Sequence, residues 1–544
     1  MVKINDDINI HFPLKMIPRD QQLKALQFIK DSLNTGKKFI LLDLAVGSGK
    51  TYLTNMLCNY YLNYINSEAS FDILTESKVL QSQYSRENDY IKDFRGKNNY
   101  VCEKFDCSCE QGLEICSALK QNCSVEDCPY TYAKKQWIES RVGLTNFHMF
   151  DTLSLYVSTI LDQRDSNVLI IDEAHNFEEV FSSYISTSTS TKSLKKYGFD
   201  LKTIEEYDQK IKRIKTLPQY VGFISNQFIP DVEKLIYKFE EQIKSNYKVK
   251  EEYSKYKSYC ESQLQVFKNM EKEYKLKPEN WVLDISTNIY DKLYNGIVLE
   301  AKPVWVSNYL YDILWSRYDH VIFLSGSILN MDVFCDINGL DKKLTTYMEL
   351  PSVFPIKNRP IFFIKCGKMT MNEKEQTFKI QLEYIKKILA RNIKHKGIIH
   401  TANYENQKLL MENLFDNRLI FHTPENKEEM LEKHINADYP SIIVSPSLIS
   451  GVDLKDELGR FSIIQKIVYP YLGSNKVKQR QKTNPNWYNM KACQDFCQMY
   501  GRTTRSIDDW SETYVLDSCL SDLLRYNSKY IPRYVSDAIK LLKI

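Results

Sequence analysis

The stretch Phe39-Ile40-Leu41-Leu42-Asp43-Leu44-Ala45-Val46-Gly47-Ser48-Gly49-Lys50-Thr51 constrains the fold of this chain more than any other. An apolar run of strand length stops at a glycine-bearing loop, and the segment from Thr51 to Tyr61 is helix-compatible. These are the flanks that a phosphate loop requires. Gly47 and Gly49 let backbone N–H groups turn toward phosphate oxygens, with Ser48 between them. Lys50 supplies a point charge for the outer phosphates, the Thr51 hydroxyl can ligate magnesium, and the helix dipole favours the same anion. Leu44 stands where the usual pattern has its first glycine, so the flanks carry the reading. In isolation, a Gly-Ser-Gly turn beside an exposed lysine would be an ordinary turn.

At 544 residues the chain is too long for one core and should divide into two to four domains. A net charge of +4 is only mildly basic, so affinity for nucleic acid has to come from local patches. No apolar run approaches a membrane span, and the start Met1-Val2-Lys3-Ile4-Asn5-Asp6-Asp7 has neither a basic nor an apolar targeting region. An intracellular, cytoplasm-like compartment is expected. Of 13 cysteines, Cys102, Cys107, Cys109, Cys116, Cys123 and Cys128 crowd one short segment. That distribution fits one local metal or cluster site in a reducing compartment better than a disulfide framework. The segment has few apolar residues, so a metal centre is expected to fold it, and spacing alone leaves zinc and iron–sulfur both open.

Upstream of the loop, Arg19 and Gln22 open a helical pattern and can hydrogen-bond an adenine edge. Downstream, Phe71 to Thr75 reads as a second buried strand and Val142 to Asn146 as a third. Val168-Leu169-Ile170-Ile171-Asp172-Glu173-Ala174-His175 then delivers two carboxylates to a strand's carboxyl end. Asp172 can hold magnesium and Glu173 can polarise an attacking water. Taken alone, Asp-Glu is also a common helix start. From about Ser182 to Asn280 a Lys-, Glu- and Tyr-rich texture with apolar residues at helical spacing predicts a helical insert without a motif. Val321 to Ile328 returns the chain to the first sheet.

The second half repeats the strand and helix alternation without a phosphate loop. Gly397 to Asn403, Ser441 to Ser445, Ile463 to Tyr469 and Tyr514 to Asp517 are its strand candidates. It also holds Gly451-Val452-Asp453 and the group Gln498-Met499-Tyr500-Gly501-Arg502-Thr503-Thr504-Arg505. Arg502 and Arg505 share a helical face and can reach a triphosphate held by the other half, where a guanidinium steadies transition-state charge.

Taken in order, Arg19 and Gln22, Gly47 to Thr51, Asp172 to His175, Ser325 to Ile328, Gly451 and Asp453, and Gln498 with Gly501, Arg502 and Arg505 resemble the motif set of the XPD/DinG family of superfamily-2 iron–sulfur DNA helicases. The discriminating feature is a cysteine cluster between the phosphate loop and Asp172, followed by an insert after the DEAH-type box. The resemblance implies an α/β fold of two RecA-like parallel-sheet motor domains. Residues 1–99, 133–181 and 300–340 would form the first, 100–132 the cluster domain, 182–299 a helical arch-like insert, and 341–544 the second. It implies ATP and Mg2+ in the cleft between the motor domains, and a [4Fe-4S] cluster on Cys102, Cys116, Cys123 and Cys128, with zinc as the other candidate. Cys107 and Cys109 are extra. Ser325-Gly326-Ser327 replaces the usual Ser-Ala-Thr.

A monomeric motor is implied that moves 5′ to 3′ along single-stranded DNA and unwinds forked duplexes, in a cell or encoded by a virus. Three other readings predict different outcomes. A translocase or RNA-preferring ATPase would fail to unwind DNA forks, a non-catalytic binding module would tolerate loss of Lys50 or Glu173, and a zinc-stabilised ATPase would contain no sulfide.

Overall fold

The computed structural model describes residues 18–542 except 46, 119–126, 246–249, 288–295, 449–453 and 505. Two seven-stranded parallel sheets form its body. The first runs, in spatial order, Thr345–Leu350, Phe39–Leu44, His320–Ser325, Val168–Asp172, Phe71–Thr75, Val142–Asn146 and Ile91–Asp93. Its central strands are buried along their whole length, as continuous apolar runs in a parallel sheet require. The strand carrying the phosphate loop lies beside His320–Ser325, with Asp43 in register with Ser325. The two functional turns therefore leave the same sheet edge side by side.

The sheet takes in Thr345–Leu350, beyond the residue-340 boundary expected for the first motor domain. The second sheet runs Leu419–Phe421, Ile442–Ser445, Gly397–His400, Phe461–Ile464, Glu512–Val515, Ile361–Phe363 and Ile539–Leu541. The two sheets make this a two-domain RecA-like α/β fold. The strand expected over Ile463 to Tyr469 is Phe461–Ile464, because the chain leaves the sheet at Gln465 and its Ile467 N–H turns to Asp517 Oδ2 at 2.9 Å.

The insert is less purely helical than expected. Helices Leu201–Arg213, Ile229–Ser245 and Lys250–Leu276 stand on a three-stranded antiparallel sheet of Thr187–Ser190, Ile297–Pro303 and Trp281–Thr287. An aromatic core holds the helices together, with Phe228 against Tyr197 at 5.2 Å and Phe267 at 5.0 Å between ring centroids. The cysteine segment does not rely on itself for burial either. Phe94, Tyr130 and Trp137 tie it to the core beneath one face of the first sheet. Among the described residues, no helix is long and apolar enough to cross a membrane.

Candidate nucleotide cleft and cysteine centre

The phosphate loop is made by its glycines. Gly47 and Gly49 both sit at φ 79°, where a side chain would be strained. Leu44 is the last residue of its strand and is buried, so the turn needs no glycine there. Gly49 precedes the helix Lys50–Tyr64, whose first N–H groups are open toward an anion. A Cβ at Gly49 would lie 2.5 Å from Gln22 Nε2, so the glycine also makes room for the brace behind it. Gln22 Nε2 donates to the carbonyls of Ser48 at 3.2 Å and Gly49 at 3.1 Å. Arg19 Nη1 donates to Gly47 O at 2.6 Å, and Gln22 Oε1 accepts from Arg19 N at 2.9 Å. Arg19 and Gln22 thus hold the loop carbonyls outward, a task the sequence did not suggest.

Facing the loop, the strand Val168–Asp172 ends in the two carboxylates. Glu173 occupies a left-handed turn at φ 53°, a position uncommon outside glycine, asparagine and aspartate, and this throws its side chain toward the loop. Lys50 Nζ lies 2.5 Å from Glu173 Oε1 and 3.9 Å from Asp172 Oδ1. Burial pushes Asp172 above the usual carboxylate range, with Lys50 opposing and Glu173 adding to the rise. Burial acts on Glu173 in the same sense, but the Lys50 ammonium beside it, with the charge of Arg502 adding, pulls it below that range. The site therefore separates two adjacent acids into a reluctant and a firm anion.

Tyr84 was missed by the sequence reading. Its hydroxyl donates to Asp172 Oδ2 at 3.1 Å, lies 3.2 Å from Thr54 Oγ1 and is also hydrogen-bonded to Thr51. It joins the two expected magnesium ligands. Asp43 is a second omission: its Oδ2 accepts from Leu329 N at 2.7 Å and ties the loop strand to the turn after Ser327. A charged residue inside an apolar strand was the available signal.

The turn after His320–Ser325 connects the halves. Ser325 Oγ lies 2.9 Å from His175 Nδ1. Burial holds His175 far below its usual range, to about 3, so the ring is neutral. Two residues on, Ser327 Oγ accepts from Gln498 Nε2 at 2.6 Å and Ser327 O accepts from Gln494 Nε2 at 2.8 Å. Gln498 in turn holds Arg502, whose Nε donates to Gln498 O at 3.0 Å and whose Nη2 donates to Gln498 Oε1. The Arg502 charge is felt at Glu173, His175 and Glu76 across the cleft. Lys50 from the first half pairs with Glu173, and Arg502 from the second, held by Gln498, acts on Glu173 across the cleft through its charge. Arg505, Gly451 and Asp453 lie outside the described residues.

In the cysteine segment, Val101–Cys102 and Cys107–Ser108 form a hairpin with Cys102 opposite Cys107. A Cβ at Gly112 would lie 2.6 Å from Cys102 Sγ, so the bare backbone lets that sulfur approach the helix Cys109–Ala118. Cys102, Cys109, Cys116 and Cys128 are all buried. Burial raises the Cys109 thiol to about 11, with the neighbouring Cys128 adding to the rise. Cys128 caps the helix Pro129–Glu139. Burial acts to raise its thiol, but donors from Thr131, Cys109 and Tyr130 hold it below its usual value. Among the described residues, no three His, Cys, Asp or Glu side chains are gathered as for a single metal ion. Cys123 lies outside the described residues. Soft, buried sulfurs from hairpin and helix ends are the donors that a thiolate-held centre uses. Cys109, counted as extra in the sequence, is buried as Cys102, Cys116 and Cys128 are.

Two family models match the chain. One, described as "Helicase C-terminal domain", covers residues 385–539, and the other, "Type III restriction enzyme, res subunit", covers residues 15–214. No curated protein matches the sequence. A solved structure titled "XPD_Helicase" is 14% identical and superposes with a TM-score of 0.68 over 97% of this chain and 100% of that one. Another, "XPD_APO", is 13% identical with a TM-score of 0.63 over 96% and 100%. At such identity the likeness to the solved structures is one of fold.

Proposed function

We propose that the chain is an XPD/DinG-like superfamily-2 helicase, an ATP-driven nucleic-acid motor that moves 5′ to 3′ on single-stranded DNA and parts forked duplexes as an intracellular monomer; the two family models and the XPD-like fold support the reading. One observation carries the motor reading: Glu173 holds Lys50 at 2.5 Å while Gln498, which holds Arg502, reaches across the cleft to Ser327 Oγ at 2.6 Å.

In this reading ATP enters between Lys50 and Arg502 and draws the halves together, and the family resemblance gives Arg505 the same role as Arg502. The N–H groups around Gly47, Ser48 and Gly49 take the phosphates. Arg19 and Gln22, already bracing the loop, would reach the adenine edge, and the family resemblance assigns Gly451 and Asp453 to the nucleotide. Thr51 and Asp172, joined by Tyr84, would hold magnesium, which when bound neutralises charge on the outer phosphates. Glu173, kept ionised by its neighbours, orients and polarises the attacking water. Gln498 sets the Arg502 guanidinium through two hydrogen bonds and senses the first half through Ser327. Loss of the outer phosphate removes what both cations share, and the cleft reopens.

Residues Cys102, Cys116, Cys123 and Cys128 would hold a [4Fe-4S] cluster, which supplies a rigid staple for the segment, with zinc as the alternative occupant. Buried thiols at Cys102, Cys116 and Cys128 support that donor set. Grip on the strand comes from phosphate contacts and base stacking, which are indifferent to sequence.

The test is hydrolysis of ATP with and without single-stranded DNA or RNA, beside unwinding of a fork with a 5′ tail, on anaerobically purified protein assayed for iron, zinc and sulfide. DNA-stimulated hydrolysis with fork unwinding is expected. Hydrolysis stimulated only by RNA, or forks left paired, would replace the DNA helicase reading.

A further inference from the structure

The helix Lys78–Glu87 follows the strand Phe71–Thr75, and its Tyr84 side chain is completely buried. The phenol hydroxyl donates to Asp172 Oδ2 at 3.1 Å and lies 3.2 Å from Thr54 Oγ1. Thr54 stands about one turn after Thr51 on the helix Lys50–Tyr64 and is itself fully buried. One hydroxyl therefore bridges the two elements that carry the expected magnesium ligands, the helix of Thr51 and the strand of Asp172.

Tyr84 does not drift with either element. One turn before it, Gln81 donates to the Asp93 carboxylate and to Phe94 O at 3.0 Å, while its Oε1 accepts from Asn146 Nδ2 at 3.0 Å. Ser82 Oγ accepts from Arg95 Nη2 at 2.9 Å. These bonds fasten the helix to the strand ends at Asp93 and Asn146, so the phenol is a fixed post. Asp172 is held at its other oxygen too: Oδ1 accepts from Glu173 N at 2.9 Å and lies 3.9 Å from Lys50 Nζ. Without the donor on Oδ2, Lys50 is left to draw the carboxylate toward itself, in competition with a metal shared with Thr51.

We propose that Tyr84 is a positioning residue that fixes Asp172 against the helix of Thr51, and that this bridge makes the cleft favour magnesium over calcium. The role rests on the motor reading and adds to it a determinant of which cation serves the nucleotide. Magnesium demands near-ideal octahedral placement of its oxygens, whereas calcium accepts more ligands in a looser geometry. A carboxylate pinned on a buried, well-braced donor suits the stricter ion.

The experiment is titration of a fluorescent ADP analogue on the full chain at rising magnesium or calcium, with the thermal midpoint of the metal-free protein as fold control. Wild type should reach half-maximal binding at lower magnesium than calcium. Tyr84→Phe should need about tenfold more magnesium, the usual cost of removing the donor behind a metal ligand, and less than about twofold more calcium. Thr54→Val reads the same bridge from its other end: it should shift the magnesium requirement in the same direction, and combined with Tyr84→Phe it should add less than its own effect. Equal weakening with both cations, or an unchanged magnesium requirement in both variants, would overturn the positioning role and leave the motor reading standing. Wild-type binding indifferent to divalent cations would overturn the magnesium site and this role together.

Discussion

Replacing Glu173 with Gln removes one charge and almost no volume. Lys50 Nζ lies 2.5 Å from Glu173 Oε1 and 3.9 Å from Asp172 Oδ1, so the substitution frees the lysine from its nearer partner. Of the charges that meet here, Lys50 and Arg502 oppose Asp172 and Glu173, and the change turns a balanced group into one with a net positive charge. That favours the triphosphate. The pair is partly shielded from water, and its release should be worth about 1 kcal/mol, or roughly fivefold tighter nucleotide binding. Turnover moves the other way, since loss of a positioned base costs about 10²- to 10⁴-fold. Fluorescent-nucleotide titration and phosphate release on one preparation read both numbers. A parallel fall in affinity and turnover would refute the assignment of Glu173 as a base restrained by Lys50. Turnover at the wild-type rate would refute it outright.

Lys50→Ala should abolish nucleic-acid-stimulated hydrolysis, measured by phosphate release, because no other cation in the loop replaces it at the outer phosphates. Cys128→Ser should keep much of the hydrolysis yet lose fork unwinding and bound iron, read by elemental analysis; equal unwinding by both proteins would remove the cysteine centre from the mechanism. Arg480→Met should cost about 3–5 kcal/mol in denaturant titration, because it strands the buried Glu178 carboxylate, and adding Glu178→Gln should recover most of the loss. Burial raises Asp172, so falling pH protonates it earlier than an ordinary aspartate and hydrolysis should fail on the acid side. Magnesium competes with that proton, and the acid limb should move to lower pH as magnesium is raised; an unmoved limb would take Asp172 out of the metal site.

The parallel sheets were legible because their strands are buried on both faces and read as short apolar runs, as at Phe39 to Leu42 and Leu169 to Ile171. The carboxylates were legible because polar residues end those runs. Tyr84 was not, since a tyrosine on a helix has no pattern that marks a partner 88 positions away. The brace by Arg19 and Gln22 was half legible: the spacing marked the pair, but the loop carbonyls they bind become targets only once Gly47 and Gly49 adopt positive φ. The insert sheet stayed hidden because Thr187 to Ser190 is polar and gains its strand only through pairing with Ile297–Pro303.

Among the described residues, two of the joints between the halves converge on the segment that begins at Asp172. At the candidate nucleotide cleft, Glu173 feels the charge of Arg502, while His175 reaches Ser325 and, two residues further on, Ser327 meets Gln498. One helical turn beyond His175, Glu178 takes a bidentate hold from Arg480, whose guanidinium lies 4.6 Å from the Trp305 ring and 5.1 Å from that of Trp487. Arg480 also donates to Val304 O at 2.6 Å, and its helix reaches the insert, where Asn475 Nδ2 donates to Leu283 O at 2.7 Å. A change of charge at Glu173 is therefore connected through one short helix to the second half and to the insert sheet. Interfaces packed this tightly do not deform gradually. In the proposed motor, closure of the nucleotide cleft would either carry the helix Asn475–Thr483 and the insert with it or break the Arg480 pair, so that an event at Glu173 would reach the insert sheet.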